Sequence, residues 1–558
     1  MTRANAVVDM TSSSEQGPGP GVGARVRAVA RRALIRVAGW LLRQRAVQMF
    51  VADRPLAIAT ALCALVSLLP LFVTTFLPLV DMGSNIGAAA LIDDAASGHG
   101  IVAQHFRVNW SPLPYWSGYA IMCLVAMVAG PFLAAKVIVA LGVLLVPLSV
   151  MRLMLALGRS PRLGLWAFLL AWDTNLYWGW VTFQLGVPAA IWVLACLIET
   201  ESWKRAAWLI PWTAFVALTH LHAVALLGLT AVVQALVRPR RLRALGQTAL
   251  ALTGFVALIP WLWTHFGSGG GGGGGHSELS FAFDTLPDRI KQFYRFTADV
   301  MTSKSGETLT GLAFVMFIVG PAAIAGLRQA AAPKRSSALA LSFVLCAAAL
   351  YLMLPFAVSG PIEHWWTYPR FGTYVLLGLL LLPTPDLGGR RALALAPGLA
   401  LVALLSVARV QQFAAYDART RPYLSIIQAM DRNTSFLPLD FEISWSGTRE
   451  LSLGQLHGYA AAARSSFDPH LFDNPNTPLL YRPEAVPPQP DWKRVRDTFS
   501  FEKQGQYYDY LIVHPVGWDT LGSYQGRGLE LVRDAGQWRL YRVQNRPRDS
   551  AAAVSASP

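Results

Sequence analysis

The chain has 558 residues and a formal net charge of +15, yet only 14% of its residues are charged against 54% hydrophobic. A soluble globular chain carries about 25% charged residues, so this one lacks the polar surface to cover itself in water. Its basic residues lie in short clusters between apolar runs, as the positive-inside rule produces, which argues against nucleic acid as a partner.

Residues 1 to about 23 are rich in Ser, Gly and Pro, and disorder is expected there. Arg25 to Arg45 reads equally as a basic amphipathic helix on an anionic inner leaflet or as a plain cytoplasmic topology signal. The first apolar run follows this basic tail of residues 1–54 and is too long for a signal-peptide core, so it is expected to stay as an anchor. Further basic clusters are Arg159/Arg162, Lys204/Arg205, Arg238 to Arg243, Arg328/Lys334/Arg335 and Arg390/Arg391. Each interval between them fits one out-and-back helix pair. The expected spans are 55–77, 136–157, 163–178, 185–199, 206–219, 222–237, 245–265, 309–327, 337–357, 371–385 and 392–408. With about eleven spans and a cytoplasmic N-terminus, the C-terminal region falls outside the cytoplasm.

Tyr115 to Gly130 is apolar enough to span, but counting it would put Arg159 and Arg162 outside. It is read as a helix in the outer leaflet, broken at Gly130-Pro131. Outward loops are expected at 78–135 and 266–308; the second contains seven glycines at 269–275, a connector or gate before a helix from Leu286 to Val300. From Val410 the composition turns polar. Tyr423 to Met430 looks helical, and the runs from Tyr510, Leu529 and Trp538 look like strands, the last two joined at Asp534-Ala535-Gly536. The expected architecture is a polytopic α-helical membrane protein with a small extracytoplasmic α/β domain at 409–545 and a disordered tail at 546–558. Cys63, Cys123, Cys196 and Cys346 all lie in apolar runs without metal-ligand spacing, so neither a disulfide framework nor a zinc site is expected.

Asp81 lies just beyond the hydrocarbon edge in Leu77-Pro78-Leu79-Val80-Asp81-Met82-Gly83-Ser84-Asn85, where a carboxylate can reach a lipid headgroup. Asp93 and Asp94 read as capping carboxylates or as substrate contacts. His220 and His222 stand at an outward turn; two apart on a helix they would face different directions, so a helix-end hydrogen bond is expected rather than a metal pair. Trp178, Trp180, Trp365 and Trp366 could stack on sugar rings or form an interfacial belt.

A basic tail, one span and a long outward loop opening with an acidic residue resemble the start of the GT-C glycosyltransferases, such as the protein O-mannosyltransferases and lipid A aminoarabinose transferases. Ser111-Pro112-Leu113-Pro114 stands where many of these carry a His-Pro-Pro-Leu-like turn, and Lys136 where an Arg opens their second span. The chain is similar, over most of residues 55–545, to a group of bacterial membrane proteins of this type. The likeness rests on Asp81-Met82-Gly83-Ser84-Asn85, on the turn from Tyr177 through Gln184 to Gly186, on Thr219-His220-Leu221-His222-Ala223 and on Tyr368-Pro369-Arg370-Phe371.

This resemblance implies transfer of a sugar from a polyprenyl phosphate to an extracytoplasmic acceptor at a bacterial inner membrane. Asp81 would be the base for the acceptor, with Asp93, Asp94 or Glu363 as the alternatives. Arg370 beside His364 would hold the carrier phosphate, aided by Lys136 or by Arg289 and Arg295. Trp178, Gln184 and His220 would contact substrate. The partners are membrane lipids and the lipid-linked sugar; a divalent cation is left open, as is the oligomeric state. Two rival readings are a transporter or flippase, which would show paired interrupted helices and an internal repeat, and a non-catalytic scaffold presenting the C-terminal region.

Overall fold

The computed structural model describes residues 45–264, 279–326, 334–360, 363–471, 476–515 and 521–544. The expectations for residues 1–44 of the N-terminal tail, for the glycines at 269–275, for Arg328 and for the tail from Arg546 lie outside the described residues. The chain divides into two compact units, residues 1–59 and 60–558.

Helix α1, Arg54–Leu68, starts where the Asp53 carboxylate accepts the Leu56 N–H at 3.1 Å, with Pro55 in the first turn, where a missing N–H costs nothing. After it come α2, Met82–Ala90, the three-residue strand β1, Phe106–Val108, and α3, Trp116–Ala129. Gly130 at φ +80° ends α3 and Pro131 opens α4, Pro131–Ala156, so the break falls where the Gly-Pro pair placed it.

The protein is mostly helical and membrane-embedded. Among the described residues seven helices are long and apolar enough to cross a membrane: Arg54–Phe72, Pro131–Ala156, Val181–Ile198, Arg241–Leu262, Lys304–Ala325, Lys334–Met353 and Gly389–Thr420. The expected spans at 206–219, 222–237 and 371–385 hold shorter helices, Ile210–Thr219, Leu221–Val237 and Gly372–Leu379. At 163–178 a 3₁₀ run, Pro161–Leu170, precedes a short helix, Thr174–Tyr177, that is capped by Asp173. Asp, Thr and Asn in a row offer the backbone local side-chain partners, which is why a continuous helix does not form there. The expected helix from Leu286 to Val300 stops at Gln292, and the chain turns from Phe293 onward.

Helix α5, Ala396–Thr420, runs unbroken past residue 409 into the polar region, followed by α6, Tyr423–Ala429, and α7, His457–Arg464. Strand β2, Phe436–Asp440, pairs in parallel with β3, Tyr510–His514, and antiparallel partners β4, Leu529–Ala535, and β5, Trp538–Val543, complete the order β2-β3-β5-β4. Pro438 is tolerated because β2 is an edge strand.

This sheet shares one hydrophobic core with the segment that follows α1. Phe76 packs on Phe132, Tyr423 and Tyr459 at centroid distances of 5.7, 5.8 and 5.2 Å. Strand β1 pairs antiparallel with Leu479–Tyr481. Helices α2 and α7 meet backbone to backbone: a Cβ on Gly83 would lie 1.7 Å from the Gln455 carbonyl oxygen, and one on Gly458 would lie 2.1 Å from that of Gly83. Side chains are excluded from that seam.

A candidate transfer site between two turns

Two loops are laced together around Asp81. The Val80 and Asp81 N–H groups donate to the carbonyls of Tyr177 and Trp178 at 2.9 and 3.1 Å, and Asn85 Nδ2 donates to the Gly179 carbonyl at 3.0 Å. Gly179 sits at φ +76°, where a Cβ would lie 2.8 Å from the Asp81 nitrogen, so this approach needs glycine. The Tyr119 hydroxyl on α3 donates to Asn85 Oδ1 at 2.8 Å and holds it in place. Asp81 occupies the N-cap position of α2, but its carboxylate makes no capping bond. It accepts instead from Gln455 Nε2 at 3.2 Å.

Opposite it stands Arg370, in the 3₁₀ turn Pro369–Phe371 and 8% exposed. Its guanidinium carbon lies 3.6 Å from the centroid of the Trp180 ring, while Nε and Nη2 donate to the carbonyls of Trp366 and Trp365 at 3.1 and 3.3 Å. Trp366 takes φ +60°, a region that bulky side chains rarely enter and that is held only where the surroundings enforce it. Arg370 Nη1 has no hydrogen-bond partner among the described residues. Asp81 and Arg370 act on each other electrostatically but form no ion pair.

Asp81 keeps some surface open but is enclosed by protein on most sides. Burial pushes its carboxyl up to about 7, against the opposing pull of Arg370 and of hydrogen bonds from Gln455 and Trp180. Burial also pulls Arg370 down to about 10, leaving it a cation at neutral pH.

Three histidines flank the guanidinium. His220 caps the helix Leu221–Val237 by accepting the His222 N–H at Nδ1, 3.1 Å away. The capping bond was expected; the expected divergence of the two rings is not what the structure shows. His220 has extended backbone (φ −166°, ψ 132°), so helical spacing does not apply, and the rings lie 5.0 Å apart. His222 faces His364 at 5.6 Å, and the Tyr115 hydroxyl lies 3.4 Å from His364 Nδ1. Burial and the charge of Arg370 hold His364 at about 4, so it is neutral. Among the described residues no group of three or more His, Cys, Asp or Glu side chains is arranged to hold a metal ion.

Of the residues singled out in the sequence, the fold brings together Asp81, Arg370, His364, His220 and Trp178, which stacks on Trp180 at 5.5 Å and meets Trp366 at a tilt at 4.9 Å. His222, Trp180, Trp365 and Trp366 lie here too, whereas Lys136, Arg289, Arg295, Asp93, Asp94, Glu363 and Gln184 do not. Lys136 on α4 has Asp417 as its charged neighbour. Arg289 is tied to the Tyr351 carbonyl at 2.9 Å and lies 4.1 Å over Tyr368. Arg295 is exposed and acts on buried Glu450, which also neighbours Trp178. Asp93 and Asp94 lie in the first turn of the helix Ile92–Ser97, where acidic residues suit the helix dipole. Glu363 is exposed, and Gln184 is buried against Asp173. The cluster also holds Asn85, quoted in the sequence only as the end of the Asp81–Asn85 motif, and Tyr115, Tyr119 and Gln455, which carry no sequence signal of their own.

Neither a family model nor a curated protein matches the sequence. Solved structures do resemble it. ArnT from Cupriavidus metallidurans in the apo state aligns over 88% of this chain and 98% of its own, at 13% identity and a TM-score of 0.49. The same protein bound to undecaprenyl phosphate aligns over 87% and 97%, at 14% identity and 0.47. The mycobacterial arabinofuranosyltransferase AftD aligns over 88% of this chain and 40% of its own, at 18% identity and 0.45. Both proteins are GT-C glycosyltransferases, the type that the sequence resembles. At identities and scores this low, the likeness assigns neither a reaction nor a residue role to this chain.

Proposed function

We propose that this chain is a membrane glycosyltransferase of the GT-C type, moving a sugar from a polyprenyl-phosphate carrier to an extracytoplasmic acceptor at a bacterial inner membrane. The observation that carries this reading is the facing pair of partly enclosed Asp81 and buried Arg370, both against Trp180 and without an ion pair between them. Opposite charges that stop short of contact leave room for a group that needs both. The acceptor hydroxyl or amine gives its proton to Asp81 as its heteroatom attacks the sugar's anomeric carbon. The bond from that carbon to the phosphate oxygen breaks, and the electron pair stays on the phosphate. Arg370 meets the growing negative charge with its free N–H groups. Neutral His364 and the Tyr115 hydroxyl add hydrogen-bonding capacity without adding charge.

The test is transfer from a radiolabelled polyprenyl-phosphate sugar in proteoliposomes. Asp81→Asn is isosteric, and loss of a general base slows transfer about 10²–10⁴-fold. Wild-type turnover in that variant removes Asp81 from the reaction.

A further inference from the structure

Gln455 comes from the polar C-terminal part of the chain, 374 residues after Asp81, yet it supplies the hydrogen bond of 3.2 Å to the carboxylate. Three observations argue against a merely structural glutamine. Its Oε1 is buried and accepts nothing among the described residues, so the side chain sits there at a cost to stability. Its backbone is locked independently of the side chain: the Gly458 N–H donates to its carbonyl at 3.3 Å, and Gly83 presses on that carbonyl. The start of α7 is fixed too, by the contact of 2.5 Å between His457 Nδ1 and the Asp468 carboxylate.

We propose that Gln455 is a positioning residue for Asp81: reaching across from the C-terminal part of the chain, it turns the carboxylate toward Arg370 and favours its ionised form. The catalytic purpose of this contact rests on Asp81 being the acceptor's base. The charged and titratable groups facing Asp81 are Arg370, ahead of the helix Gly372–Leu379, and Tyr119 on α3, with the Trp180 indole beside them. His457 on α7 is engaged by Asp468 instead. Of the hydrogen-bonding neighbours, Gln455 is the one that can be exchanged without disturbing the aromatic wall.

The test reads the proton on Asp81 directly, without a sugar substrate. Dicyclohexylcarbodiimide modifies protonated carboxyls, so labelling of the purified full chain in detergent across pH, mapped by peptide mass spectrometry, gives a midpoint for Asp81. Asp94 in the same region is the internal reference. The wild-type midpoint is expected near pH 7. Gln455→Leu moves it up by about one pH unit, the effect of losing one hydrogen bond to a charged group. Gln455→Glu keeps the shape and moves it up further, because two adjacent carboxylates must share a proton. Both variants are first checked for a wild-type unfolding temperature, and the isosteric Gln455→Glu decides if Gln455→Leu does not fold. Unchanged midpoints overturn the assignment while leaving Asp81→Asn to report on the base separately. Shifted midpoints in a protein whose Asp81→Asn variant transfers normally overturn the catalytic purpose of the contact.

Discussion

Asp173 and Asp81 lie on either side of the same aromatic turn, and their hydrogen bonds differ sharply. Asp173 accepts from the Leu176 N–H at 3.1 Å, from Asn175 and Thr373 at 2.6 Å each, and from Gln184. All of these partners belong to the fold, and they tie the turn to the helices Val181–Ile198 and Gly372–Leu379. Asp81 accepts only from side chains, from Gln455 at 3.2 Å and from Trp180, and faces a cation with which it forms no ion pair. Burial alone therefore does not mark a carboxylate for chemistry; unspent acceptor capacity beside an unpaired cation does.

The contrast makes predictions of decreasing size. Asp81→Asn should cost about 10²–10⁴-fold in transfer and leave the unfolding temperature in detergent unchanged. A variant that unfolds but turns over normally would reverse the roles of the two carboxylates. Next comes Arg370: Arg370→Ala should weaken undecaprenyl phosphate binding by one to two factors of about ten, as expected for charge-assisted hydrogen bonds. Arg370→Lys keeps the charge but loses the planar fork, and should fall between the two. Equal binding by all three proteins would make Arg370 an interfacial anchor.

Asp173→Ala should do the opposite of the Asp81 change. It strands buried donors and lowers stability by about 1–3 kcal/mol, with transfer per folded molecule preserved. The smallest effect is the pH dependence. Asp81 acts as a base only when ionised, and burial has raised it to about 7. Transfer should therefore rise about tenfold between pH 6 and pH 8 and then level off. A flat profile would mean that another group takes the proton.

Much of this was legible in the sequence, and the limits have physical reasons. Gly130-Pro131 announced a helix break because both residues constrain the backbone on their own. The strands from Tyr510, Leu529 and Trp538 were readable from their apolar runs, and Gly536 at φ +62° marks the turn between the last two. Strand β2 was hidden by Pro438, which looks like a breaker until its edge position is known. Asp81 and Arg370 stood out as charges at apolar borders. Lys136 stood out through the resemblance and Arg289 as a basic residue of the second loop, and their neighbours Asp417 and Tyr368 tell them apart from Arg370. Gln455 could not be found at all, because nothing local to it differs from an ordinary surface glutamine.

The span between Asp81 and Gln455 also sets an order of assembly. A chain emerging from the ribosome exposes Asp81 early, but the amide that meets it, and the glycine at 458 that closes the seam, arrive only after the seven long helices of the described residues have been made. Until then a half-made protein holds Arg370 and its aromatic wall without the amide that hydrogen-bonds Asp81.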